Sequence, residues 1–146
     1  MCIALARKDR VLRPGKKISV WRGQKAESLT WAGFARSEIL SWWMKRGELV
    51  DVPATRFAER SDQDGKIQWE DVPDGQVVRG LITKEGSHEL IKVFTRASTP
   101  DEIIRFEHDR MPLIEPPLYS AEDIPSEPES QGELFSNSQS GEQGAE

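Results

Sequence analysis

The residues in this 146-residue chain best suited to covalent or acid–base chemistry are few: one cysteine, at position 2, and two histidines, His88 and His108. An initiator methionine is generally removed when the next residue is small, and Cys2 meets that condition. The mature chain would then open with a 1,2-aminothiol. Its α-amine, with an ordinary pKa of roughly 7.7–8, is partly neutral near pH 7 and can attack an aldehyde to give a Schiff base. The neighbouring thiolate can then close a five-membered thiazolidine, which an internal cysteine cannot do because its nitrogen is an amide. A small, inert side chain at position 2 is the alternative reading of the same residue. His108 closes a predicted helix, where histidines also serve as caps. Glu89 lies in a strand-like run, where a lone glutamate is ordinarily solvated.

Short strands must position these groups. Lys17–Trp21, Leu29–Phe34, Glu48–Val52, Lys66–Trp69, Gln76–Ile82 and Glu89–Thr95 are rich in β-branched or aromatic residues and bounded by Gly, Pro or Asp. Asp64-Gly65 and Asp74-Gly75 are turn signals. One helix is predicted from Ser37, as N-cap, to Arg46, with Gly47 just past its end. A second follows the capping box Thr99-Pro100-Asp101-Glu102 and should carry Ile104 and His108 on one face. Strands without a helix-crossover rhythm predict an α+β domain, mainly antiparallel.

Apolar residues make up 36% and charged residues 31% of the chain, the balance of a soluble globular domain. No eighteen-residue apolar run exists, so no membrane span is expected. The charged start is too short for a secretory signal, and one cysteine suits a reducing compartment; the expected location is the cytoplasm. The net charge of −5 is unevenly spread. Residues 119–146 hold seven acids and no Lys or Arg, which leaves 20 bases against 18 acids in residues 1–118. The chain therefore divides into a mildly basic domain, 1–118, and an acidic tail, 119–146, whose Ser, Glu, Gln, Gly and Pro content predicts disorder.

Several motifs resemble those of the SOS-response-associated peptidase (SRAP) family, whose members begin Met-Cys. His108-Asp109-Arg110-Met111-Pro112-Leu113-Ile114 is similar to the family's His-(Asp/Asn)-Arg-Met-Pro-Val-Ile motif, and Phe94-Thr95-Arg96-Ala97-Ser98-Thr99-Pro100 to the Thr-rich strand before it. Arg79-Gly80-Leu81-Ile82 through Gly86-Ser87-His88-Glu89 resembles the Arg-Cys-Leu-Ile run that leads to the catalytic glutamate, which falls on Glu89. Ala54-Thr55-Arg56 stands where the family has Asn-Ala-Arg, and Thr30-Trp31-Ala32-Gly33-Phe34 echoes its Arg-Trp-Gly-Leu strand. The motif order holds over about 115 residues. Ala54 replaces the active-site Asn, with the Thr55 hydroxyl beside it, and the stretch between Glu89 and His108 is shorter than in the family by some tens of residues.

The resemblance implies covalent capture of abasic sites in single-stranded DNA by Cys2, with removal of Met1 at the same site and no metal or organic cofactor. Cys2 would be the nucleophile, Glu89 the proton acceptor and donor, and His108 the group that helps open the deoxyribose. Arg56 would hold a phosphate, with Thr55, Trp31 and Arg110 beside the DNA. A monomer associated with the nucleoid is expected.

Five tryptophans offer base-stacking surfaces, and Arg7, Lys8, Arg10, Arg13, Lys16 and Lys17 form a basic run that can follow a phosphate backbone or simply face water. In the tail, Gln131, Leu134 and Phe135 are spaced as in peptides that dock bacterial DNA-polymerase sliding clamps. Two rival readings stay open: a non-covalent single-stranded DNA-binding module, and an N-terminal-nucleophile amidohydrolase.

Overall fold

The computed structural model describes residues 2–118. The tail 119–146, and with it the clamp-peptide residues Gln131, Leu134 and Phe135, lies outside the described residues.

Eleven strands and two short helices are present among the described residues. The first strands are β1 (Cys2–Arg7), β2 (Arg10–Leu12), β3 (Lys17–Arg22) and β4 (Lys25–Arg36). A 3-10 turn, Ser37–Ile39, leads into α1 (Leu40–Met44), then β5 (Gly47–Val52), β6 (Arg56–Arg60), β7 (Ile67–Asp71), β8 (Val77–Glu85) and β9 (His88–Ala97). Helix α2 (Pro100–Phe106), β10 (Arg110–Pro112) and β11 (Ile114–Glu115) complete the domain.

Strands β9, β4, β3, β5 and β8 pair in that order, and β8 returns to β9, so the sheet closes into a five-stranded ring. Four of its pairings are antiparallel, as the sequence predicts, but β4 and β9 run parallel. The reason is arithmetic: an odd number of strands in a closed ring cannot alternate direction all the way round. Ile18, Val20, Trp31, Val50, Val52, Val78, Ile82, Ile91 and Val93 fill the interior. A second sheet, ordered β2-β1-β6-β7, shares that core through Leu5, Leu12, Phe57 and Val72.

All six predicted strands are present. The predicted helix from Ser37 is broken instead into the 3-10 turn and the five-residue α1, and Ser37 makes no cap bond. Gly47 does not end a helix but opens β5, where a Cβ would lie 2.3 Å from the Ile82 carbonyl oxygen. The capping box at Thr99 forms as expected, with Glu102 N donating to Thr99 Oγ1 and Thr99 N to the Glu102 carboxylate. Helix α2 stops earlier than predicted. Glu107 adopts a left-handed conformation (φ 56°), so His108 lies beyond the helix rather than on a face with Ile104.

Candidate active site

Strand β6 reads Arg-Phe-Ala-Glu-Arg, a run with no strong strand propensity. It is extended because it is held on both edges, by β1 and by β7. Alternation sends Phe57 inward to pack on Phe106, and Glu59 has the same parity. A glutamate that follows a phenylalanine by two residues is thus carried into the core layer, where it is 1% exposed.

The register of β1 against β6 makes this glutamate the neighbour of the predicted nucleophile. Ala6, Leu5 and Ala4 face Arg56, Phe57 and Ala58 in regular order. Continued regularly, that order would set Cys2 opposite Arg60. A bulge between Cys2 and Ala4 shifts it, and Cys2 pairs with Glu59. Bulges of this kind often sit beside functional sites, where one inserted residue re-aims a strand end.

Burial raises the Glu59 carboxyl from its usual 4.5 to about 7, and the positive charge of the chain's amino terminus opposes that rise. An acid with such a pKa is populated in both protonation states near neutrality, as a group that must both give and take protons requires.

The same end of β6 is tied to the loop that carries His108. Ser61 Oγ donates to the Glu107 carboxylate, and Asp62 N donates to the Glu107 carbonyl oxygen at 3.0 Å. His108 then leads into β10, which packs against β1. The Arg110 amide donates to His108 Nδ1 at 3.0 Å, and the Arg110 carbonyl oxygen lies 3.2 Å from the same nitrogen. Nε2 lies 3.6 Å from Asp62 Oδ1. The side chain of His108 is 10% exposed, whereas Asp62 and Asp109 are largely open to solvent. Asp62, His108 and Asp109 bring their donor atoms within 4.8 Å of one another. Two of the three are exposed carboxylates, an arrangement that is common without a metal ion.

The other predicted site residues divide. Arg56 is exposed on the outer face of the second sheet, opposite Ala6, with its guanidinium 4.8 Å from the ring centre of Trp69. Thr55 donates its hydroxyl to the Ala6 carbonyl oxygen at 3.2 Å, and with Arg56 lines a polar groove closed by Asp71, Val72, Pro73 and Gln76. Both residues sit four positions along β1 from Cys2, roughly 13 Å at about 3.3 Å per residue. Thr55 is therefore not brought to the Cys2 position.

Three assignments need correction. Trp31 is fully buried in the ring and donates its indole N–H to the Gly33 carbonyl oxygen, so it offers no face to DNA. Arg110 is also buried: it holds Glu38 through both terminal nitrogens at 2.9 Å and bonds Thr95, which makes it a brace between β9, β10 and the turn after β4. Glu89 lies in the ring sheet, one pair from the tip of the β8–β9 hairpin, and its carboxylate accepts from Arg22 at 3.0 Å. The acid that the register sets beside Cys2 is Glu59. Its signal in the sequence was a charged residue two positions after an aromatic one, which reads as a strand edge unless the bulge is known.

No family model, curated protein or solved structure matches the chain. Among the described residues no helix is long and apolar enough to cross a membrane.

Proposed function

We propose that this chain captures abasic-site aldehydes in single-stranded DNA through Cys2 once Met1 is removed, in the manner implied by its SRAP-like motifs. The observation that carries this reading is the pairing of Cys2 with Glu59, a buried acid with a pKa of about 7. The Cys2 amine adds to the aldehyde to form a carbinolamine. Glu59, protonated, gives a proton to the departing hydroxyl, and one water leaves as the imine forms. The nitrogen keeps its hydrogen as an iminium, the thiolate adds to the iminium carbon to give the neutral thiazolidine, and the proton lost by the thiol returns Glu59 to its acid form. His108, held at the same strand end, is the second proton carrier and assists opening of the sugar.

Arg56 suits a phosphate a few nucleotides from the lesion, since its guanidinium is exposed and lies on the same sheet. Exposed Asp62 and Asp109 disfavour phosphates beside His108, so the backbone approaches over the Arg56 end. The tail residues Gln131, Leu134 and Phe135 would bring the protein to a sliding clamp at replication forks, where single-stranded lesions arise.

The test is a denaturing-gel assay with single-stranded DNA holding one abasic site, using protein whose loss of Met1 is verified by intact mass. A heat-stable shifted band that requires both Cys2 and the lesion supports the proposal. Its absence from processed protein refutes it. A second reading, non-covalent DNA binding, is favoured by the exposed Trp69 with Arg56 stacked on it, a suitable platform for a base. It predicts that Cys2→Ala binds the abasic oligonucleotide as tightly as the parent protein.

A further inference from the structure

Helix α2 ends on a residue that glycine would replace with less strain. Glu107 adopts the left-handed conformation (φ 56°, ψ 40°), which ends many helices and which a side chain disfavours. Among the described residues the only other non-glycine with a positive φ is Lys8. A side chain held in such a conformation calls for a contact that offsets the strain. That contact is Ser61.

Phe57, Glu59 and Ser61 follow one another at alternate positions on the inward face of β6 and its extension, and Ser61 is 4% exposed. A serine hydroxyl has one hydrogen to give and two lone pairs to receive, and here all three are used. Ser61 Oγ donates to the Glu107 carboxylate and accepts from the amides of Gln63, at 3.1 Å, and Asp64, at 3.3 Å. The bond from the Asp62 amide to the Glu107 carbonyl oxygen is a second tie. The loop after β6 and the residue before His108 are thus built around one oxygen atom. Cys2 pairs with Glu59 just ahead of that loop, and β10, which His108 leads into, packs against β1.

We propose that Glu107 is a positioning residue for the capture reaction, fixing His108 through Ser61 at the strand end where Cys2 and Glu59 pair. This role rests on the abasic-capture reading and adds to it a residue outside the motifs. A helix stop alone would be met better by glycine. Glycine would keep the backbone tie and lose the carboxylate, leaving the buried Ser61 hydroxyl without its acceptor. The loop that sets Asp62 3.6 Å from His108 Nε2 would then lose its anchor. A misplacement of about 1 Å in a reacting group is enough to cost on the order of 10²-fold in rate.

A cycle of four proteins tests this: the parent, Glu107→Gly, His108→Ala and the double variant, compared by crosslinking rate on single-stranded abasic DNA. Urea unfolding verifies that each is folded. Glu107→Gly should slow the parent by roughly 10- to 100-fold and change the His108→Ala protein by less than about twofold, since Glu107 acts through the histidine. Glu107→Gln keeps an oxygen for Ser61 and should recover most of the rate. An undiminished rate in Glu107→Gly, or an equal loss in both backgrounds, overturns the proposal; a merely structural residue would move the urea midpoint and not the rate of the folded protein. The geometry is also read without DNA. Ser61→Ala, remote from His108 in sequence, should shift the His108 ring signals in nitrogen-15 spectra and leave those of the exposed His88 in place. Unmoved His108 signals overturn the proposal whether or not the parent crosslinks. If the parent forms no adduct, shifted signals keep the tie between Glu107 and His108 and refute the capture reading alone.

Discussion

Glu59→Gln separates the role of Glu59 from that of an ordinary surface acid. Burial lifts the folded-state pKa to about 7 against 4.5 in an unfolded chain, so the folded protein binds this proton more tightly. The stabilising contribution of Glu59 is therefore complete below pH 4.5 and is lost as the pH rises through about 7. The size of the shift corresponds to about 3 kcal/mol. Glutamine keeps the shape and does not titrate. Parent and variant should thus differ by an amount that changes by about 3 kcal/mol between pH 4.5 and 8, in favour of the variant at the upper end. Urea unfolding at several pH values across that window measures it. The same substitution should slow crosslinking by roughly 10²- to 10⁴-fold and remove an inflection near pH 7 from its rate profile. A stability difference that is flat from pH 4.5 to 8 would refute the assignment of a buried, titrating acid, whatever the crosslinking rate.

Glu89→Gln should leave the crosslinking rate within about twofold, since its carboxylate serves Arg22 in the other sheet; a loss equal to that of Glu59→Gln in the gel assay would restore Glu89 to the site. Arg110→Ala should cost about 2–4 kcal/mol in urea unfolding, because Thr95 and Glu38 lose a charge-assisted partner, and Lys should not rescue it, lacking the planar fork that spans both oxygens of Glu38. Arg79→Ala should cost about 3–5 kcal/mol by the same measurement, as it strands the fully buried Asp51 carboxylate.

Much of the ring was legible in the sequence because its strands are locally distinct. Lys17–Arg22 and His88–Ala97 are rich in β-branched and aromatic residues, and Gly23 and Gly86 supply the left-handed residue their hairpin turns require. The capping box of α2 could be read for the same reason, since every group it needs lies within four residues. The strands that build the candidate site carry no such signal. Cys-Ile-Ala-Leu-Ala-Arg and Arg-Phe-Ala-Glu-Arg are rich in helix-tolerant residues, and each is a strand because it is held between two neighbours, β1 by β2 and β6, and β6 by β1 and β7. Burial of Trp31 and Arg110 was hidden likewise. A tryptophan in an alternating strand and an arginine in a polar motif show a face only once ring closure decides which side is inside.

The identity of the acid beside Cys2 turns on a single residue of register. With β1 and β6 paired regularly to the end, Cys2 would meet Arg60, an exposed cation on the outer face. That partner would favour a thiolate but could supply no proton at neutral pH, because an arginine does not titrate there. The bulge between Cys2 and Ala4 exchanges it for Glu59, on the face that Phe57 anchors in the core. Burial and pKa follow from the alternation of β6, whereas the position beside Cys2 follows from the bulge, which is not local: it exists in the pairing of two strands about fifty residues apart in the chain. A motif scan that seeks the acid by distance from a neighbouring Arg-Gly-Leu-Ile run arrives at Glu89, because strand register leaves no trace in such spacing. Deleting Ile3 removes the extra residue of β1 and leaves the cysteine opposite Glu59 in regular register, so crosslinking should persist in protein that stays folded and begins with cysteine; its loss in the gel assay would refute the pairing with Glu59 as what matters.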